Sequence, residues 1–285
     1  MGPLEGKKCL ITGASRGLGA EIARKCWRDG ANLFLVARTK DALHELIRSL
    51  PSGRSQAEMF AADLSLPEAP RRIAAAFKER FGALDALINN AALHGAVGPF
   101  HLTAQALWES SFAVNFFAPA RLARECVPLM GKSGRGKMIF LSGGGAAGAR
   151  ANFTAYSTAK TAIVRLAENL AQELAPLSID VNCIAPGPMP TALLREILDT
   201  GPEKAGQQEY NAAARIMRSG GQVMENAAEL AAYLASAGSD GITGKLISAV
   251  WDPWRDFEKH KAKLAASDIY TLRRIVPEDR GEKWN

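Results

Sequence analysis

Seven short apolar runs, separated by longer amphipathic segments, are the feature of this 285-residue sequence that most constrains its fold. The runs are brief and continuously apolar, as expected for strands that are covered on both faces of a sheet. The segments between them have helical spacing, as in Leu18, Ile22 and Cys26. This alternation implies a parallel sheet with right-handed crossovers. The predicted strands span residues 9–11, 32–37, 57–61, 86–88, 138–141, 179–184 and 246–250.

Domain organisation follows from what interrupts this alternation. Residues 1–250 contain no internal repeat, low-complexity tract or linker, so we predict a single α/β domain, a doubly wound parallel sheet with helices on both faces. Residues 187–224 are rich in proline and glycine, and we predict an insertion that forms a lid over a site. Residues 251–285 hold three tryptophans and are too apolar for a disordered tail. We expect this extension to pack on the body or on a neighbouring subunit.

Composition excludes several classes of function. The net charge of +6 comes from Lys and Arg scattered among acidic residues, whereas nucleic-acid binding requires clustered positive charge. No apolar run approaches the ~18 residues of a membrane span, and the N-terminus lacks the features of a signal peptide. The four cysteines and four histidines show no metal or disulfide spacing. We therefore predict a cytoplasmic protein with no nucleic-acid, membrane or metal partner.

A glycine-rich turn joins the first predicted strand to the first predicted helix. Glycines let the chain turn tightly and approach a pyrophosphate, and the following helix N-terminus stabilises its charge. This position between strand and helix predicts a dinucleotide site. Its residues are Gly13, Ser15, Arg16, Gly17, Leu18 and Gly19.

The GxxxGxG spacing of this turn resembles that of the short-chain dehydrogenases/reductases, and four further motifs match that family in order. They are Asn89-Asn90-Ala91-Ala92, with Ala92 in place of the family's glycine; Asn115; Tyr156 with Lys160; and Pro186-Gly187 followed by Thr191. Asp63 with Leu64 resembles the family's adenine-contacting pair. The resemblance covers about residues 5–250 and implies a Rossmann-type fold.

The resemblance also implies a nicotinamide cofactor bound by Asn90, Ala91, Pro186, Gly187 and Thr191 in addition to the glycine turn. Family members are often dimers or tetramers, so we expect a homodimer or homotetramer. The implied substrate is a small-molecule carbonyl compound or alcohol.

The preferred cofactor can be predicted from the end of the second strand. An acid at this position would hydrogen-bond the ribose diol of NAD and repel a 2′-phosphate. The sequence instead continues from Ala37 to Arg38 and Thr39, without an acid. Arg38 and Arg16 offer guanidinium groups that suit a phosphate in both geometry and charge. We therefore expect NADP(H) to be favoured over NAD(H).

The predicted catalytic pair lies in a segment of strong helical character. Tyr156 and Lys160 are four residues apart, which places both side chains on one helix face. Tyrosine is a weak acid, and the lysine charge is expected to favour its phenolate. The resemblance makes Tyr156 the general acid and base and gives Lys160 a second contact, with the nicotinamide ribose. By the same resemblance, Asn115 anchors a water that links the lysine to solvent.

The position of the family's catalytic serine is open. That serine usually stands 13 residues before the tyrosine, where this chain has Gly143, and Ser142 lies one residue earlier. Neighbouring residues of a strand point to opposite faces, but consecutive glycines relax the backbone. We predict that Ser142 takes the role, with its absence as the alternative.

We thus predict an NADP(H)-dependent oxidoreductase that interconverts a carbonyl and a secondary alcohol. The alternatives are a cofactor-dependent epimerase or dehydratase, and a non-catalytic dinucleotide-binding protein. Arginines and a histidine near the predicted site either recognise an anionic group of the substrate or form a solvated face. They are Arg150, Arg195, Arg215, Arg218 and His94.

Overall fold

A computed structural model describes residues 2–53, 55–132, 134–219 and 222–284. Seven parallel strands form one sheet in the order β3-β2-β1-β4-β5-β6-β7, which confirms the predicted doubly wound fold. The strands are β1 (Lys8–Thr12), β2 (Asn32–Ala37), β3 (Ala57–Ala61), β4 (Ala86–Asn89), β5 (Gly136–Leu141), β6 (Ile179–Ala185) and β7 (Leu246–Ser248). Because the chain order reverses between β1 and β4, a crevice for ligands is expected outside the carboxyl ends of these two strands.

Helices cover both faces of the sheet. They are α1 (Gly17–Arg28), α2 (Lys40–Ser49), α3 (Ala69–Phe81), α4 (Gln105–Phe112), α5 (Ala118–Cys126), α6 (Thr154–Glu173), α7 (Ala192–Thr200), α8 (Pro202–Ala205), α9 (Gln207–Ser219), α10 (Gln222–Ala235) and α11 (Lys261–Ala265). One core lies between the sheet and α1, α2 and α10, and a second lies between the sheet and α3, α5 and α6. In α6 the apolar residues Ile163, Val164 and Ala167 recur at helical spacing and are buried in the second core.

The predicted lid is more helical than its proline and glycine content suggests. Pro190 precedes α7 and Pro202 is the first residue of α8, positions where a helix tolerates proline. Gly201 and Gly206 separate the helices α7, α8 and α9 with φ angles of 83° and 90°. The composition therefore marked the breaks between helices rather than an irregular loop. Gly220 and Gly221, which also carried the lid prediction, lie outside the described residues.

The 251–284 part of the extension folds onto the body of the same chain. Trp254, Phe257 and Leu264 are buried in the core that contains α1 and α10. The amide of Leu246 in β7 donates a hydrogen bond to the carbonyl oxygen of Tyr270, at 2.8 Å. Short 3₁₀ turns complete the chain at Phe100–Leu102, Val127–Leu129, Ala175–Leu177, Ala237–Ser239, Trp254–His260 and Pro277–Arg280. Among the helices of the described ranges, none is long and apolar enough to cross a membrane.

Candidate active site

A cleft of about 720 Å³ lies at the carboxyl ends of the strands, between the glycine turn and helix α7. Most of the predicted site residues line it, whereas Asn115 and Gly187 do not. The predicted residues in its lining are Gly13, Ser15, Arg16, Gly17, Leu18, Gly19, Arg38, Asp63, Leu64, Asn90, Ala91, Ser142, Tyr156, Lys160, Pro186 and Thr191. The structure therefore brings together in one cavity residues that are spread over most of the sequence.

The glycine turn is held against the end of β4. The side-chain amide of Asn90 donates hydrogen bonds to the carbonyl oxygens of Thr12 and Gly13, at 3.0 and 3.2 Å. Gly13 has a φ angle of 64°, and a Cβ on it would lie only 2.8 Å from the Cα of Ala91. A Cβ on Gly19 would lie 2.1 Å from the carbonyl oxygen of Gly13. Backbone packing thus requires glycine at both positions.

The same end of the cleft fits a dinucleotide phosphate. Helix α1 begins at Gly17, so its first backbone N–H groups have no partner within the helix and open towards the cleft. Arg16 and Arg38 are exposed residues of the cleft lining. Asp63, after β3, accepts a hydrogen bond from the amide of Ser65 at 2.9 Å. That hydrogen bond, together with the nearby charge of Arg38, lowers the pKa of the Asp63 carboxyl.

At the other end of the cleft, Tyr156 and Lys160 lie one helical turn apart on α6 and are both buried. The Lys160 ammonium donates a hydrogen bond to the carbonyl oxygen of Leu141 at 2.8 Å and lies 5.7 Å from the centre of the Tyr156 ring. Burial lowers the pKa of Lys160 to about 8 and raises the pKa of Tyr156 to about 12. The expected lowering of the tyrosine pKa is therefore not seen here, because desolvation outweighs the lowering effect of the Arg150 charge.

Positions 142 and 143, where the family's serine was sought, point in different directions. Ser142 is buried, and its hydroxyl oxygen lies 3.5 Å from the carbonyl oxygen of Lys160, a long hydrogen bond. A Cβ on Gly143 would lie 2.3 Å from the hydroxyl oxygen of Tyr156. Position 143, not position 142, therefore faces the tyrosine hydroxyl. The role of Ser142 stays a prediction.

Asn115 lies behind the cleft in a π-helical turn, Ala113–Phe117, that joins α4 to α5. Its side-chain amide donates hydrogen bonds to the carbonyl oxygens of Leu93 and Ser111, at 2.7 and 2.9 Å. Such single π turns inside α-helices occur frequently at functional sites. In the structure, Asn115 thus fixes the loop that follows β4.

Two side-chain contacts join the lid helices to the neighbourhood of Tyr156. His94 is buried with its ring centre 5.0 Å from that of Tyr156, and its Nδ1 lies 3.4 Å from Oε2 of Glu196 on α7. Burial lowers the pKa of His94, so the imidazole is neutral at pH 7. Arg150 packs over the Phe153 ring and forms a bidentate pair with Glu209 of α9, at 3.0 and 2.8 Å.

Glu196 was not predicted from the sequence, although it lines the cleft. Its position follows from Thr191, whose hydroxyl caps α7 and so fixes the helical phase that brings Leu193 and Glu196 to one face. If Thr191 had been recognised as a helix cap in the sequence, the position of Glu196 could have been predicted. Elsewhere in the described residues, no group of three or more His, Cys, Asp or Glu side chains is arranged to hold a metal ion.

Known proteins resemble this chain over most of its length. The model of the family described as short chain dehydrogenase matches residues 7–201. The human "Dehydrogenase/reductase SDR family member 4" is 29% identical over 245 residues, which cover 86% of each chain. The "Uncharacterized oxidoreductase YxbG" of Bacillus subtilis is 31% identical over 251 residues, 87% of this chain and 91% of the relative.

Solved structures agree with this assignment. L-Sorbose reductase from Gluconobacter frateurii, complexed with NADPH and L-sorbose, has a TM-score of 0.75 and 28% identity, covering 87% of this chain and 96% of its own. The Pseudomonas aeruginosa RhlG/NADP complex has a TM-score of 0.73 and 29% identity, covering 87% and 97%. The chain is an oxidoreductase of the carbonyl and alcohol type, and it belongs to the short-chain dehydrogenases/reductases.

Proposed function

We propose that this protein is an NADP(H)-dependent oxidoreductase that interconverts a small-molecule carbonyl compound and a secondary alcohol, with Tyr156 as general acid and base. The observation that carries the proposal is the single cleft that joins a glycine turn with two arginines at one end to the buried Tyr156 and Lys160 at the other. One end suits a phosphorylated dinucleotide, and the other suits proton transfer.

The preference for NADP(H) rests on charge at the ends of β2 and the glycine turn. Arg16 and Arg38 line the cleft there, and Asp63 follows β3 rather than β2. A guanidinium group binds a phosphate by charge and by paired hydrogen bonds. The neighbours solved with NADPH and NADP bind the same class of cofactor, which supports the proposal.

The chemistry divides between the cofactor and the protein. A reduced nicotinamide supplies the hydride when it is bound. Tyr156, with a pKa of about 12, keeps its proton at neutral pH and donates it from Oη to the carbonyl oxygen of the substrate. The nearby Lys160 stabilises the resulting phenolate by its charge. In the direction of oxidation, the phenolate accepts the proton of the alcohol.

The cellular setting and assembly are part of the proposal. Cys9, Cys26, Cys126 and Cys183 are all buried free thiols, which suits a reducing, cytoplasmic compartment. We propose a homodimer or homotetramer, as is usual for closed symmetric assemblies of soluble enzymes. We also propose that residues 1–250 form the catalytic domain and that the extension stabilises its body.

The decisive experiment follows the absorbance of NADPH with a panel of ketones, comparing the wild-type protein with Tyr156→Phe. We expect turnover in the wild type and its loss in the variant, with an unchanged dissociation constant for NADPH. Tyr210→Phe, on α9 and outside the cleft lining, is the matched control and should keep full activity. NADPH binding without turnover in the wild type would instead support a non-catalytic dinucleotide-binding protein.

A further inference from the structure

The arginines for which the sequence left two roles open, anion recognition or a solvated face, do not line the cleft. Arg150 forms a bidentate pair with Glu209 and does not line the cleft. The three lid arginines Arg195, Arg215 and Arg218 are exposed and do not line the cleft. In the part of the chain that the structure describes, the positive side chains of the lining are Arg16, Arg38 and Lys160. The first two lie at the phosphate end, so among the described residues no arginine of the cleft lining lies beside Tyr156.

Among the described residues, the acidic side chains of the cleft lining are Asp63, at the dinucleotide end, and Glu196, on α7. The carboxylate of Glu196 lies 3.4 Å from Nδ1 of His94, whose ring packs against that of Tyr156 with 5.0 Å between ring centres. His94 is buried, whereas 48% of the Glu196 side chain is exposed. One carboxylate oxygen thus approaches the His94 ring, and Glu196 lines the cleft.

The charge of this carboxylate reaches Tyr156. Burial is the main cause of the raised tyrosine pKa; the positive charge of Arg150 lowers that pKa, and the negative charge of Glu196 raises it. A substrate group that approaches Glu196 within the cleft would meet the same negative charge. An anionic substituent at that place would therefore be repelled.

A carboxylate only accepts hydrogen bonds, so it suits a substrate group that donates them. The other lining residues at this end are small, hydroxylated or apolar: Ser110, Val114, Leu93 and Leu193. They offer no second charge. The complementary substituent is a hydroxyl group near the reacting carbonyl.

We infer that Glu196, oriented by His94, is a specificity-determining residue that selects uncharged hydroxyketones over ketoacids. The inference rests on the proposed function, since it takes Tyr156 as the group that meets the carbonyl oxygen. It names a substrate class for this cleft, and it places the residue that recognises the substrate's hydroxyl group, Glu196, on the lid helix α7.

The test uses three small carbonyl compounds that differ only in one substituent: hydroxyacetone, acetone and pyruvate. Values of kcat/KM with NADPH are measured for the wild type, for Glu196→Gln and for Glu203→Gln. Glu203 is an exposed residue of α8 outside the cleft lining, so its variant is the matched control. We expect the wild type to prefer hydroxyacetone over both other compounds. Glu196→Gln should lower the ratio of kcat/KM for hydroxyacetone to that for pyruvate by about tenfold or more.

Binding separates this inference from the proposed function. Propylene glycol and lactate are titrated, by calorimetry, into the Tyr156→Phe protein loaded with NADP⁺, with and without Glu196→Gln. Binding of the diol but not of lactate, reversed towards lactate by Glu196→Gln, supports the inference even if no ketone is turned over. A ratio that Glu196→Gln leaves unchanged in both experiments, or a wild type that prefers pyruvate, overturns it.

Discussion

The hydroxyl oxygen of Tyr156 lies against the backbone of Gly143, at a point where a Cβ on residue 143 would stand only 2.3 Å away. Contacts of a Cβ below 3.0 Å are essentially never found in proteins. A side chain at position 143 therefore requires the tyrosine ring or the backbone of residue 143 to shift. The glycine is thus a condition for the observed position of Tyr156, rather than a mere loss of the family's serine.

We expect Gly143→Ser to lower kcat by about a hundredfold, because a displacement of about 1 Å at a reacting group has an effect of this size. The dissociation constant of NADPH should not change. Gly148→Ser is the matched control, since nothing lies within 4 Å of a Cβ at position 148. Steady-state kinetics of both variants check the prediction, and a Gly143→Ser enzyme as fast as the wild type would refute it.

The fold could be predicted because buried parallel strands leave a continuous apolar signal. The two strand ends that were misplaced by two residues, in β5 and β7, have identifiable causes. Strand β5 begins at Gly136, two residues before the predicted start. The prediction missed these two residues because the charged Lys137 interrupts the apolar run. The ammonium of this buried lysine lies 2.8 Å from a carboxylate oxygen of Asp180 in β6. A charged residue interrupts an apolar run, and its partner, 43 positions away, cannot be recognised from local sequence.

The other misplaced end is that of β7, which stops at Ser248 and not at residue 250. The side chain of Asp252 accepts a hydrogen bond from the amide of Ser248 at 2.6 Å, and the Ser248 hydroxyl accepts from the amides of Val250 and Trp251. These bonds turn the chain away from the sheet. Side chains that compete for backbone groups in this way end a strand despite favourable apolar residues.

The candidate site was predictable where short motifs fix the geometry. Tyr156 and Lys160 share a helix face because they are four residues apart, and the glycine turn needs no distant contact. The pairing of His94 with Glu196 was not predictable, since it joins the loop after β4 to a lid helix about 100 residues later. The steric conflict at Gly143 likewise exists only in the folded protein.

The preference for NADP(H) can be tested at the exposed arginine that follows β2. We expect Arg38→Leu to raise the dissociation constant of NADPH by about tenfold and to leave that of NADH nearly unchanged, because only the former has a phosphate for the guanidinium to bind. Arg71→Leu, exposed on α3 and outside the cleft lining, is the control. Cofactor fluorescence titrations measure the dissociation constants of both cofactors for the wild type and the two variants. Equal weakening of both cofactors would contradict a role in phosphate recognition.

The extension should stabilise the domain through a few buried side chains. Only 2% of Phe257 is exposed, and its ring stacks on that of Tyr270, with ring centres 5.5 Å apart. We expect Phe257→Ala to lower the free energy of unfolding by about 3–5 kcal/mol, the usual cost of such a truncation. Trp251→Ala, at a residue with 72% exposure, should change it by less than about 0.5 kcal/mol. Urea denaturation of the monomer measures both changes in the free energy of unfolding. If the extension stabilised only a subunit contact, both variants would unfold with nearly the free energy of the wild type.

The buried Lys160 should lower the free energy of unfolding, although the proposed reaction requires it. Burial lowers its pKa from the ordinary value near 10.5 to about 8. Between these two pH values the unfolded chain holds a proton that the folded protein has released, so the stability contributed by this residue rises with pH in that window. Below pH 8 both states are charged and the full penalty of burying the ammonium remains.

We therefore expect Lys160→Met to raise the free energy of unfolding at pH 7 by about 2 kcal/mol, net of the lost hydrogen bond to the carbonyl oxygen of Leu141. The difference from the wild type should shrink between pH 8 and pH 10.5 while turnover is lost at every pH. Lys78→Met, at an exposed position of α3, should show no such pH dependence. Urea denaturation at a series of pH values measures the difference. The prediction fails if Lys160→Met is less stable than the wild type at pH 7, or if the difference in the free energy of unfolding is the same at every pH. Either result would show that interactions in the folded state offset the cost of burying the charged lysine.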